Sequence, residues 1–377
     1  WWMVRLGLYL YDFLGGKMTL ARSRGLRRSD TAFTAPLKGA GKGFVYSDAF
    51  VDDSRLTVLN AVDAAANGAE IAVGTALESA RREGDVWWAT LSDGRTVTAR
   101  ALVNAAGPWV HQLLEHAYIL QQPDGRIVFA IPYQGAFTEI GTTDIPVDAP
   151  EDAQIDAGEI AYLCDAVNRH FVPQISPADV TSTWSGVRPL YDDGASEAKA
   201  VTRDYVLELD TNGPTLLSIF GGKITTARHL AEEALGKLSG PMGFTAHPVT
   251  RARVFPGGAI PDFAQFLAQV RARWPFLSDA QSERMAHAYG SRLAEMLDGI
   301  DNEAALGADL GGGLTELEAR WLHDREWARS TDDVLLRRTK LGLHLSAAER
   351  TQVERWWTET FPTAGGNDVD HGRVTAA

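Results

Sequence analysis

The sequence predicts an α/β protein with a helical domain attached, and three observations carry that prediction. In TLLSIFGGKITTARHLAEEALGKL, residues 215–238, Leu216, Leu217, Ile219 and Phe220 form a short apolar run. Beyond Gly221, Gly222 and Lys223, the residues Ile224, Ala227, Leu230, Ala231, Ala234, Leu235 and Leu238 recur at helical spacing. Second, residues 99–106 lose the polar alternation of the strands before them, which predicts a strand buried on both faces of a layered α/β domain. Third, after the Pro/Gly passage FPGGAIPD the pattern is helical with no convincing strand. The boundary is therefore placed near Thr250, giving an α/β domain over 1–250 and an all-α domain over 251–377.

Composition narrows the class. A chain of 377 residues suffices for two or three cores, and 45% hydrophobic with 23% charged residues is ordinary for a folded protein. A net charge of −13 argues against nucleic acid as a partner. The single cysteine, Cys164, excludes an internal disulfide and a cysteine-built metal site, and fits a reducing compartment. No apolar run reaches the length of a membrane span, and no cleavable signal pattern is present. The opening WWMVRLGLYLYDFLGG reads as a helix, for which a place in the core is favoured over a bilayer surface. Because the first residue is Trp1, the sequence is expected to be a piece of a longer protein.

In chain order, a Gly- and Arg-rich loop precedes GKGFVYSDAFVDDSRL. Asp52, Asp53 and Arg55 open a helix marked by Leu56, Leu59, Val62, Ala65 and Ala66, where a capping role for the aspartates is favoured over a functional one. Gly68 ends it. AEIAVGTALESA, DVWWATL and TVTARALVNAA read as three strands, the last two joined by a Ser-Asp-Gly-Arg hairpin, and Gly107-Pro108-Trp109 leads into a short helix. At His116–Ala117 that helix meets the next strand without a turn, which reads as a junction where sequence is missing. AYILQQPDGRIVFAIPYQGAFTEIGTTDIPV is a β-meander ending in Gly141, Thr142, Thr143 and Asp144. A helix near 157–171, the strand-loop TSTWSGVRPLYDD and the strand AVTRDYVLELD follow. In the last third, DFAQFLAQVRARWPFL, SDAQSERMAHAYG, LTELEARWLHDREWARS and TDDVLLRRTKLGL each begin near a capping Asp, Ser or Thr.

Chemistry concentrates at the strand-glycine-helix junction. Backbone N–H groups, a helix start and the Lys223 ammonium meet there, which suits an anion, and Thr225 and Thr226 add hydroxyls; an ordinary tight turn remains the alternative. It is not a Walker loop, because Leu217 and Ile224 occupy its glycine and Ser/Thr positions. Arg188 in SGVRPL and Arg203 in VTRDY, with Lys223, make three cations on consecutive elements, a set suited to a phosphate ester or carboxylate. The histidines show no HExxH or other ligand spacing, so no metal is expected. No G-x-S-x-G elbow supports serine hydrolysis.

Taken together and in order, GFVYSDAFVDDSRL, ALVNAAGPWV, RIVFAIPY, IGTTD, SGVRPL, AVTRDY, FGGKITT and EWARSTDDVLLRRTKLGL resemble FAD-dependent, quinone-linked glycerol-3-phosphate dehydrogenases over nearly the entire chain. The resemblance implies a glutathione-reductase-type FAD domain, an antiparallel-sheet substrate domain interleaved with it, and the all-α C-terminal domain. It implies hydride transfer from C2 of sn-glycerol 3-phosphate to FAD, giving dihydroxyacetone phosphate, with electrons passed to membrane quinone. Arg188 and Lys223 would then be catalytic and hold substrate, Arg203 and Thr143 would support it, and Gly222, Lys223, Ile224 and Thr225 would lie at the flavin end of the cofactor. Leu77, Ala105, Ala106 and Gly107 would border its adenosine and pyrophosphate part. The implied location is cytoplasmic, peripheral on the inner face of the cell membrane, with a homodimer as a further expectation.

The sequence departs from that family in three places. The βαβ unit with G-x-G-x-x-G, the H-G-G-L-R-Y-like flavin loop, and the Gly-Ser-His segment expected between His116 and Ala117 are absent from it. The FAD domain is accordingly expected to be incomplete, and this chain alone to bind FAD weakly or not at all. The alternatives are a glycerol-3-phosphate oxidase using oxygen, or a non-catalytic binding module that keeps the fold.

Overall fold

The structure, a computed structural model, describes residues 2–14, 21–27, 29–39, 43–48, 51–105, 117–134, 136–145, 147, 153–187 and 205–362. Those of 1–52 and 108–187 form one compact unit and those of 53–107 and 188–369 a second.

The first unit opens with α1 (Trp2–Leu14), followed by β1 (Arg24–Gly25), the short α2 (Thr31–Thr34) and β2 (Phe44–Val45), which pairs with β1. The core position expected for α1 is not what the structure shows. Its inward contacts are polar: Asp12 is buried and accepts from the Ser23 N–H and hydroxyl, while Arg5 donates to the same hydroxyl at 2.8 Å. Trp2, Met3, Val4, Leu6, Tyr9, Leu10 and Phe13 are exposed. The apolar residues run most of the way round the helix, so two polar anchors, rather than the apolar stripe, decide which side faces the protein.

The second unit takes up the chain with α3 (Asp53–Ala66), ended as expected at Gly68, whose φ is 95°. The sheet β3 (Leu77–Glu83), β4 (Val86–Leu91) and β5 (Thr96–Ala99) follows, with the predicted hairpin turning at Gly94. The third expected strand is in fact two. It breaks at Arg100, and β6 (Ala101–Asn104) leaves that sheet to pair in parallel with a distant strand. β6 is also not buried on both faces: Val103 is 46% exposed. Its apolar run fits a parallel strand, but among the described residues it stands at the edge of a three-stranded sheet, with Ala101 packed against the cluster that α5 forms on that sheet.

Back in the first unit, β7 (Tyr118–Gln121), β8 (Ile127–Tyr133) and β9 (Phe137–Gly141) form the expected antiparallel meander, with Gly125 at φ 80° in the Pro-Asp-Gly turn. One face packs on α4 (Ala157–Asn168): Leu120, Val128 and Ala130 meet Leu163, Ala166, Val167 and Phe171. Asp156 caps α4 in a reciprocal box with Glu159.

In the second unit, β10 (Tyr205–Asp210) and β11 (Thr215–Gly221) form an antiparallel hairpin, and β11 lies between β10 and β6. The helix α5 (Ala227–Met242) covers this sheet through Leu217, Ala234 and Leu238. The helices α6 (Phe263–Arg273), α7 (Asp279–Tyr289), the short α8 (Leu293–Met296), α9 (Glu316–Glu326) and α10 (Ala347–Thr360) complete the unit. Side chains of Asp262, Ser278, Thr315 and Ser346 cap four of them. Two details were not expected. Asp309–Gly311 (β12) and Leu314–Thr315 (β13) make a small hairpin, possible because Gly311, Gly312 and Gly313 all adopt positive φ. Asp333–Arg338 is a π-helical turn rather than α-helix.

The main core joins Val270, Trp274, Met285, Tyr289, Leu293, Leu314, Leu322, Val334 and Val353. Two fully buried carboxylates lie within it. Glu318 receives Arg284 at 2.6 and 2.7 Å and the Tyr289 hydroxyl at 2.6 Å; Glu326 receives Arg55 from α3 and Arg292, each at 3.0 Å. The first turn of α3 is held further by the Ser54 hydroxyl, which donates to the Arg337 carbonyl at 2.6 Å and accepts from the buried Lys340. Helix 53–66 therefore packs on elements that follow Thr250.

Candidate active site

The parallel pairing of β6 with β11 decides where a site can form. Their register aligns Ala101 with Thr215 and Asn104 with Ser218, so both strands point their carboxyl ends the same way. Chain leaving β6 at Ala105 and chain leaving β11 at Gly221 emerge at one edge, the position where open α/β sheets bind ligands. The opposite end is tied to the neighbouring sheet. There the Trp87 indole donates to the Thr215 carbonyl at 2.8 Å, and Arg82 pairs with Asp210 at 2.6 Å.

At the open end the chain turns through two left-handed residues, Gly221 at φ 69° and Gly222 at φ 97°. A Cβ on Gly222 would stand 3.2 Å from Leu230 Cδ1 and 3.4 Å from Tyr205 Cβ, so both conformation and space require glycine. Lys223 follows in extended conformation, then a 3₁₀ turn, Ile224–Thr226, that runs directly into α5. Thr226 is spent on the turn itself: its hydroxyl donates to the Lys223 carbonyl at 3.0 Å. Lys223, Ile224 and Thr225 are exposed. Among the described residues the N–H groups of Ile224 and Thr225 have no acceptor, as expected for the first donors of a helix. The first turn of α5 carries no acidic residue. The turn thus presents two backbone donors and an ammonium group to one anionic or carbonyl-bearing ligand.

The structure brings Ala105 and Gly222–Thr225 to one end of one sheet. Leu77 lies elsewhere, at the start of β3 in a separate sheet, paired with Leu91. Thr143 is half-buried just beyond β9 in the other compact unit. Ala106, Gly107, Arg188 and Arg203 lie outside the described residues. Sequence reading missed Tyr205, which backs the Gly222 turn and donates its hydroxyl to Glu233 at 2.7 Å. The only available signal was an aromatic residue at the head of a strand.

Residues 13–228 match the family described as FAD dependent oxidoreductase, and residues 248–356 match the C-terminal domain of alpha-glycerophosphate oxidase. A glycerol-3-phosphate dehydrogenase of Pseudomonas aeruginosa is 43% identical, over 96% of this chain and 77% of that protein. The aerobic glycerol-3-phosphate dehydrogenase of Escherichia coli is 40% identical, over 95% and 78%. D-erythritol 1-phosphate dehydrogenase of Brucella abortus is also 40% identical, over 94% and 78%. The fold is shared with the glycerol-3-phosphate dehydrogenase of Bacillus halodurans solved with FAD, at a TM-score of 0.69 and 24% identity, covering 89% of this chain and 74% of that one.

A parallel-strand end closed by a glycine turn and a helix start, within a chain of these two domain types, defines a flavin-dependent oxidoreductase. More narrowly, the chain belongs to the family of FAD-dependent glycerol-3-phosphate dehydrogenases. The residues present fit part of that cofactor. Gly221 and Gly222 allow close backbone approach, and the N–H groups of Ile224 and Thr225 are available to an acceptor.

Proposed function

We propose that this protein oxidises sn-glycerol 3-phosphate to dihydroxyacetone phosphate and passes the electrons to membrane quinone. The observation that carries the reading is the Gly221–Gly222–Lys223 turn at the carboxyl end of β11, which sets a cation beside free backbone donors. FAD, when bound, supplies the hydride acceptor. Lys223 supplies positive charge where negative charge accumulates during the reaction, at the place where water is displaced and such charge acts most strongly. Arg188 and Lys223 would hold the phosphate and hydroxyl region of the substrate, with Arg203 and Thr143 supporting them.

Two observations favour second readings. The 40% identity to a D-erythritol 1-phosphate dehydrogenase favours a longer polyol phosphate as substrate. The match to a C-terminal domain described from an oxidase favours oxygen as acceptor. Steady-state assays of the full-length protein with each substrate, using an artificial acceptor, a short-chain quinone or oxygen, separate these. The expected result is preference for glycerol 3-phosphate and for quinone over oxygen. Turnover of neither phosphorylated polyol would sink the enzymatic reading and leave a non-catalytic module.

The same reading places the protein on the cytoplasmic face of the membrane as a peripheral protein and a homodimer. Support comes from α1, whose aromatic and aliphatic side chains face outward, and from neighbouring Arg22, Arg24 and Arg27. Among the described residues no helix is long and apolar enough to cross a membrane.

A further inference from the structure

The start of α5 is fixed only in part by local bonds. The Thr226 hydroxyl accepts from the Lys223 N–H at 3.4 Å and donates to its carbonyl at 3.0 Å, but no side chain accepts from the first N–H groups of α5, and two successive positive-φ glycines precede the turn. A joint of that kind leaves the direction of the first turn weakly determined by local structure. The first turn also carries Arg228, a cation where the helix dipole disfavours one. Arg228 is drawn aside by Glu232, one turn later, at 3.2 Å. Both side chains close on one residue outside the helix. The Thr250 hydroxyl donates to Glu232 and accepts from Arg228 at 3.2 Å. Three residues further on, Arg253 pairs with Asp63 of α3 at 2.8 Å. The segment 250–253, at the start of the second family match, therefore ties the first two turns of α5 to α3.

We propose that Thr250 is a positioning residue: through Arg228 and Glu232 it fixes the start of α5, and with it the Gly222–Lys223 turn, in the direction that flavin binding requires. The proposal rests on the flavin reading of that turn. The hydroxyl is needed for its two simultaneous roles, donor to a carboxylate and acceptor from a guanidinium, which serine reproduces and valine does not.

The test compares Thr250→Val and Thr250→Ser in the full-length protein. FAD dissociation is followed by flavin fluorescence, apoprotein melting is recorded separately, and kcat and KM are measured with glycerol 3-phosphate. Thr250→Val is expected to weaken FAD retention about tenfold and to lower kcat more than it raises KM, with an unchanged apoprotein melting temperature; Thr250→Ser should behave as the parent. Parent-like FAD retention in Thr250→Val overturns the proposal. So does a loss of flavin matched by an equal loss of apoprotein stability, which would make the contact merely structural. A parent that retains FAD without oxidising glycerol 3-phosphate overturns the substrate reading alone, because the flavin measurement still decides the role of Thr250.

Discussion

Two residues carry the sharpest consequences. Lys223 is exposed at a turn that offers free N–H donors, so Lys223→Ala should leave the fold intact. Turnover should fall by on the order of a hundredfold, the usual scale for removing one preorganised electrostatic contact. Arg188→Ala should instead raise KM first, because a phosphate contact is made in ground and transition states alike. If Lys223→Ala keeps both constants near the parent values, the turn is an ordinary strand-to-helix connection. The second residue is Glu326. Burial pushes its carboxyl up, but the guanidinium groups of Arg55 and Arg292 outweigh burial and hold it below the usual carboxylate range. Its folded pKa thus lies under the unfolded value of about 4.3. The stabilisation is complete above that pH and is lost as pH falls through the folded value. Glu326→Gln should cost about 3–5 kcal/mol at neutral pH, since two buried cations lose their partner, and should flatten the acid limb of stability. Urea denaturation between pH 3 and pH 7 checks both, and a variant as stable as the parent at pH 7 would refute them.

Among elements, the strand-turn-helix unit of β11 and α5 sets glycine against glycine. Gly222→Ala places a Cβ against Leu230 and Tyr205 at φ 97° and should destabilise by about 1–3 kcal/mol. Gly236→Ala, in the exposed interior of the same helix with nothing within 4 Å, should stabilise by about 0.5–1 kcal/mol. Equal effects of the two in chemical denaturation would count against the turn geometry. Elements with local signals were legible: Asp262, Ser278 and Thr315 announced helix starts, Ser-Asp-Gly-Arg and Pro-Asp-Gly announced hairpins. What failed was non-local. The break at Arg100 is set by two different partners, β4 for one half and β11 for the other, and no residue at the break marks it. The orientation of α1 turned on Asp12 and Arg5 finding Ser23, a pairing hidden in a loop. At the site, the glycine-lysine turn was readable because strand, glycines and helix are contiguous, whereas its neighbour Ala105 comes from more than a hundred residues earlier.

For the whole molecule, the boundary near Thr250 predicts preferred protease cutting between Arg251 and Pro261. The two products should nevertheless co-purify, because Ser54 and Arg55 bind Arg337 and Glu326 from the far side of the cut. Preferred cutting inside 216–235 would argue against the boundary, and spontaneous separation of the products against the bridge. Cell fractionation tests the membrane reading. The full-length protein should sediment with membranes at low salt and be released by high salt or mild detergent; complete recovery in the soluble fraction at low salt would refute it. The same bridge has a temporal side. Arg55 and Glu326 are separated by 271 residues, so at translation rates of about 5–20 residues per second the arginine waits roughly 15–50 s for its carboxylate. Throughout that interval helix 53–66 has been synthesised but lacks the charge partner that its burial requires. The nascent chain is then most dependent on chaperones, and slowing the ribosome between codons 60 and 320 should lower the yield of soluble protein more than slowing it after codon 340.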